Sequence, residues 1–224
     1  TVSGVLGPYS RLVFHDSKLL GIGAALKPGL WDRETANADP KLILGEGMVD
    51  SSESQGQTFP QLLLQRLNHD AERPAMREKA YGIWQTWTLG QIGEEVFAFA
   101  AGLSNLGFTR NDTLVIIGDN RPRLYGAMLA AQSLGGVPVP AYQDSVAQEI
   151  QYVVDHAEAR FIVAENQEQV DKALEIREQC PRVERIFYCD PKGLRKYDPQ
   201  IVMDIQPVMA RGREILEANP ETVV

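Results

Sequence analysis

The sequence predicts an α/β fold, a parallel-rich sheet flanked by helices, and two features carry that reading. Short apolar runs such as TLVIIG and RFIVA are nearly continuous, which is the composition of strands buried on both faces. Between them stand helical patterns, several of them opened by a Ser, Thr or Asn with a Gln three residues later. Strand, helix and strand in this rhythm imply parallel pairing through crossover connections.

From Thr1 to about Gln57 the patterning is weak and ends in the polar run GEGMVDSSESQGQ, so residues 1–57 are expected to form an extension or linker and 58–224 the organised domain. GIGAAL, Gly21 to Leu26, holds two glycines of a dinucleotide fingerprint but Leu26 where the third belongs, and is read as an ordinary apolar stretch. Patterning becomes strong at Thr58. Thr58 with Gln61, Thr88 with Gln91, Ser145 with Gln148 and Asn166 with Gln169 each mark a helix start, the first three as capping boxes.

PAMREKAYGIWQTWT reads as two short strands around KAYG, with Trp84 and Trp87 on opposite faces. Behind Thr88, Ile92, Val96, Phe99, Leu103 and Leu106 recur at helical spacing until Gly107 supplies a stop. Strands are expected at Thr113 to Gly118, Gly136 to Tyr142, Arg160 to Ala164 and Arg185 to Cys189, alternating with helices at Pro122 to Leu134, Val146 to His156 and Gln167 to Gln179. DPKGLRKYDPQ is expected to be a loop. Ile205, Val208, Met209, Gly212, Ile215 and Leu216 mark a last helix.

A chain of 224 residues with 44% hydrophobic content can bury a substantial core. Its net charge of -8 argues against nucleic acid as a main partner, because a phosphate backbone needs concentrated Lys and Arg. Cys180 and Cys189 follow no metal spacing and are read as free thiols. No apolar run is long enough for a transmembrane segment, and Thr1 is not followed by a basic-then-apolar leader, so a cytoplasmic location is expected.

VIIGDNRPRLYG has the strand–turn–helix layout of many phosphate sites, but its turn offers one glycine, a carboxylate at Asp119 and a proline that lacks an N–H. Pro122 instead suits the first turn of a helix, so helix initiation is preferred to anion binding, with Arg121 and Arg123 as the only compensating charge. His15, His69 and His156 form no constellation, and Glu94, Glu95 and Glu165 are expected on solvated helix faces or ends. No residue is nominated as catalytic, cofactor-binding or metal-ligating: the sequence contains no phosphate-loop motif, no readable triad and no metal-ligand cluster.

The stretch WQTWTLGQIGEEVFAFAAGLSNLGFTRNDTLVIIGDNRPRLYGAMLAAQSLGGVPVPAY, then QEIQYVVDHAEARFIVAENQEQVDKAL and CDPKGLRKYDPQ, resembles the N-terminal part of long-chain acyl-CoA synthetases. These are AMP-forming fatty acid–CoA ligases of the adenylate-forming superfamily. The resemblance implies the N-terminal part of an adenylate-forming large domain, whose intact form would turn a fatty acid, ATP and coenzyme A into acyl-CoA through an acyl-adenylate, with Mg²⁺. In that family a Ser/Thr/Gly-rich phosphate loop follows soon after the matched region, so this chain, ending at Val224, is expected to be inactive alone and to bind none of these cofactors tightly. No catalytic residue of the family maps onto it.

Two other functions fit the same residues: a self-contained Rossmann-like module that binds a nucleotide, coenzyme A or a protein, and another adenylate-former such as an aryl-CoA ligase or a peptide-synthetase adenylation domain. DPKGLRKYDPQ favours long-chain acyl substrates. A parallel sheet cut before its later strands would leave an unpaired edge and an uncovered apolar face, so self-association of the chain is expected.

Overall fold

The structure is a computed structural model and describes residues 57–218. The extension expected over 1–57, Gln57 aside, lies outside the described residues, as do GIGAAL and His15. The described elements run α1 (Phe59–Asp70), β1 (Pro74–Ala80), β2 (Ile83–Thr88), α2 (Leu89–Asn105), β3 (Thr113–Ile117), α3 (Pro122–Ser133) and β4 (Val137–Ala141). They continue with α4 (Ala147–His156), β5 (Phe161–Ala164), α5 (Gln167–Glu175), β6 (Arg185–Tyr188), β7 (Val202–Asp204) and α6 (Ile205–Ala218).

Strands β3 to β7 form a five-stranded sheet in the order β4-β3-β5-β6-β7, and every neighbouring pair is parallel. The continuous apolar runs are explained by helices on both faces. Leu114, Ile116, Phe161, Val163 and Phe187 pack with α1, α2, α3 and α6, while Val115, Ile117, Ile162, Ala164 and Ile186 pack with α4 and α5. Alternate residues of each strand thus enter two separate cores, as the period of two demands. Phe187 joins the first core through edge-on contacts with Phe99 and Phe161, at ring distances of 5.7 and 5.5 Å.

Helix α2 is delimited as its sequence dictates. Thr88 Oγ1 accepts from the Gln91 N–H at 3.2 Å while Gln91 Oε1 accepts from the Thr88 N–H at 2.9 Å, a closed capping box. At the other end Gly107, at φ +88°, lets its own N–H reach Ser104 O and the Phe108 N–H reach Leu103 O, which satisfies two terminal carbonyls. α2 then crosses α6 closely: a Cβ on Gly212 would fall on Ala98 O, and one on Gly102 would fall on Val208 O.

Three expectations need correction. Ser145 does not cap α4; Val146 is the N-cap and has no side-chain hydrogen bond, so Gln148 sits one position too early to close the box. α5 ends at Glu175 instead of Gln179, because residues 176–179 turn towards β6. β7 follows the DPKGLRKYDPQ loop where no strand was expected; three residues are too few for a periodicity to register. β1 and β2 pair antiparallel through Tyr81 and Gly82, both at positive φ, with Trp84 exposed and Trp87 packed inward. Among the described residues no helix is long and apolar enough to cross a membrane.

Candidate functional site

In an open parallel sheet a crevice forms at the carboxyl ends of two adjacent strands whose following helices depart to opposite faces. Here β3 and β5 are those strands: β3 leads to β4 on one side of the sheet, whereas β5 leads to β6 on the other. Helix α3 after β3 joins one core and α5 after β5 joins the other. The crevice is therefore bounded by residues 118–121 and 165–166.

Gly118 opens this turn because nothing larger fits: a Cβ there would meet Leu124 Cδ1 at 2.5 Å and Glu165 Cβ at 2.6 Å. The Glu165 carboxylate fills the crevice. It accepts from the Asp119 N–H at 2.6 Å and from Arg121 Nε at 3.0 Å, and its side chain is only 13% exposed. The Asn120 N–H donates to Asp119 Oδ1 at 2.7 Å and the Arg121 N–H to Asp119 O at 2.8 Å. Pro122 at the first helical position has no N–H to give. Every backbone donor of the turn from 119 to 121 is thus committed to an oxygen of the protein itself.

Arg121 and Arg123 tie neighbouring elements to this crest. Arg121 also lies 4.0 Å from Glu78 of β1, and the Glu165 hydrogen bond, with the charges of Glu165, Glu78 and Asp119, holds its guanidinium above its ordinary value against the opposing effect of burial. Arg123 stands 3.5 Å from Glu95 of α2 and 5.7 Å from the Trp87 ring. Glu78 further accepts from Trp87 Nε1 at 3.3 Å. The hairpin is in this way fastened beside the carboxyl ends of the strands.

The expectation that Glu95 and Glu165 are solvated is corrected here: both are paired with arginines and mostly buried, whereas Glu94 is half exposed and bonded to Arg213. The Glu165–Arg121 bond spans 44 residues, so no local pattern announces it. His156 stacks on Tyr152 at 5.6 Å at the end of α4, and His69 sits in the last turn of α1. Cys180 and Cys189 are free thiols, and burial pushes Cys189 up to about 12. Such a thiol stays protonated and is a poor nucleophile. Among the described residues no group of three or more His, Cys, Asp or Glu is placed to hold a metal ion.

Two recesses lie elsewhere. An open groove of about 620 Å³ runs between the end of β4 and α4, with Tyr142, Ser145, Gln148, Glu149 and Tyr152 in its walls. A crevice of about 10 Å³ separates α2, α3 and α6 beside Glu95 and Arg123. The first lacks convergent charged groups and the second lacks room.

Comparison with known proteins adds the following. The model of a family described as AMP-binding enzyme matches residues 64–220. The long-chain-fatty-acid–CoA ligase ACSBG2 of Xenopus laevis is 29% identical over 158 residues, covering 70% of this chain and 21% of that protein. The long-chain-fatty-acid–CoA ligase FadD15 of Mycobacterium tuberculosis is 26% identical over 147 residues, covering 64% and 24%. Among solved structures, the anthranilate CoA ligase AuaEII in complex with anthranoyl-AMP superposes with a TM-score of 0.57 at 16% identity, over 68% of this chain and 27% of that one. That likeness bears on the fold. The chain spans about a fifth to a quarter of the length of these relatives.

Proposed function

The chain belongs to the AMP-binding enzyme family, whose name implies use of ATP, and on that premise we propose that it forms the N-terminal part of the large domain of a long-chain fatty acid–CoA ligase. The observation that carries this reading is the family match over residues 64–220, which takes in nearly the whole described α/β unit. The substrate class rests on relatives named as long-chain-fatty-acid–CoA ligases and on the DPKGLRKYDPQ segment. In the proposed reaction the fatty acid carboxylate displaces pyrophosphate from ATP, and the coenzyme A thiol then displaces AMP from the acyl-adenylate. Adenylation supplies the leaving group that a bare carboxylate lacks.

ATP, Mg²⁺ and coenzyme A are proposed for the whole protein. The crest described above does not fit a triphosphate: its N–H groups are spent, and the Asp119 and Glu165 carboxylates would repel the anion. No chemical step is assigned to these residues. Their contribution is to hold β3, β5 and the hairpin as a rigid wall, with catalysis supplied by further residues of the longer protein.

Pyrophosphate release from ATP in the presence of palmitate tests both parts of the reading. The 224-residue chain is expected to release none above background, whereas a protein that joins it to the remaining segments found in its relatives should do so in a fatty-acid-dependent way. Turnover by the chain alone would refute the scaffold role. A preference of the longer protein for short or aromatic acids would refute the long-chain assignment.

A further inference from the structure

The hairpin exposes aromatic side chains that a water-facing turn does not need. Tyr81 is 87% exposed, and Ile83 and Trp84 are each 65% exposed. Directly opposed residues of an antiparallel pair share a face, so Lys79↔Trp84 and Arg77↔Thr86 place two cations and a tryptophan side by side. Among the described residues neither Arg77 nor Lys79 has an ion-pair partner; the acid of this strand, Glu78, projects from the other face, where Trp87 and Arg121 engage it.

A second basic segment abuts the tip. Lys192 Nζ lies 5.2 Å from the Tyr81 ring, and the exposed Arg195 and Lys196 follow in the same loop. Asp190 pairs with Lys192 at 3.5 Å, and Asp198 is exposed further along, so the loop is not uniformly positive. Arg77 and Lys79 still bring two cations without a carboxylate partner among the described residues to one exposed aromatic hairpin, in a chain whose net charge is -8.

We propose that this hairpin tip docks on an anionic lipid surface. The chemistry selects the partner: Tyr81, Ile83 and Trp84 are exposed aromatic and aliphatic side chains beside the exposed cations Arg77 and Lys79. A membrane interface suits it, because Trp and Tyr settle at headgroup depth while Lys and Arg reach lipid phosphates. The overall negative charge then restricts the encounter to one orientation, tip first, and makes it sensitive to salt.

Sedimentation of the 224-residue chain with phosphatidylcholine vesicles, with and without 30% phosphatidylglycerol, tests the assignment. Binding is expected only with the anionic lipid and should weaken in 0.5 M NaCl. At about fivefold per basic residue, R77Q/K79Q should lower the partition coefficient on the order of 25-fold. W84A should lower it severalfold and abolish any blue shift of tryptophan emission on binding. All three positions are exposed, so far-UV circular dichroism should be unchanged. Failure to bind either vesicle, or binding that R77Q/K79Q and W84A leave intact, overturns the proposal; in the first case the face is left to protein contacts.

Discussion

Arg160 shows how one side chain can organise the end of a sheet opposite the crest. Its guanidinium meets Asp112 at 2.8 Å and Glu184 at 2.6 Å and donates to Gly107 O, so it ties together the segments that lead into β3, β5 and β6. Burial pushes the Asp112 carboxyl up, but hydrogen bonds from the Thr109 N–H, Arg160 and the Thr109 hydroxyl prevail and hold it below the usual carboxylate range. A carboxyl depressed in the folded state adds stability above its unfolded value of about 3.9, and that stability is lost as pH falls through the lower folded value. D112N should therefore cost about 1–2 kcal/mol at pH 7, discounted for partial exposure, and the gap to wild type should close below about pH 4. Urea unfolding at pH 7 and pH 3 measures it; a gap independent of pH would show that shape, not charge, is what Asp112 contributes. None of this was legible in the sequence, since Arg160 and Asp112 are 48 residues apart.

At the level of elements, local chemistry wrote the boundaries and packing altered some of them. Helix α2 could be read from Thr88, Gln91 and Gly107 because caps and stops act within a few residues. Its crossing with α6 could not, because Gly102 and Gly212 matter only where two backbones touch. G212A should destabilise the chain by roughly 1–3 kcal/mol, since its Cβ would collide with a backbone oxygen that cannot move away alone. G126A in α3 is the contrast. Its Cβ would meet only Val96 Cγ2 at 3.8 Å, so removing a helix-interior glycine should be neutral or stabilising by up to about 1 kcal/mol. Denaturation midpoints of the two variants test this; equal losses would place the cost in glycine itself instead of the crossing.

For the whole molecule, the sheet's edges decide how copies meet. The Val137 N–H points inward to Asp112 O, so Val139 and Ala141 also face β3 and the outward donor positions fall on Pro138 and Pro140. The outer edge of β4 then offers carbonyls but no N–H groups, which is how natural sheets block strand addition. The other edge, β7, is only three residues long. Self-association, expected from the parallel sheet, is thereby steered away from edge pairing. P138V/P140V should restore the missing donors and raise the apparent mass by light scattering above that of the wild-type chain at the same concentration. An unchanged concentration dependence would mean that other surfaces control association.

The sequence by itself determined the α/β class, the order of helices and strands as far as β6, and the helix start at Pro122, because periodicity, caps and prolines act over a few residues. The family resemblance was equally legible, since it rests on a run of such local features. Only the tertiary structure decided that β3 and β5 are neighbours, that Glu165 fills the space between them, that Arg77, Lys79 and Trp84 share an exposed face, and that Lys192 reaches the Tyr81 ring. Those facts depend on strand order and register, which arise from burying two apolar faces at once and which no short stretch of the chain encodes.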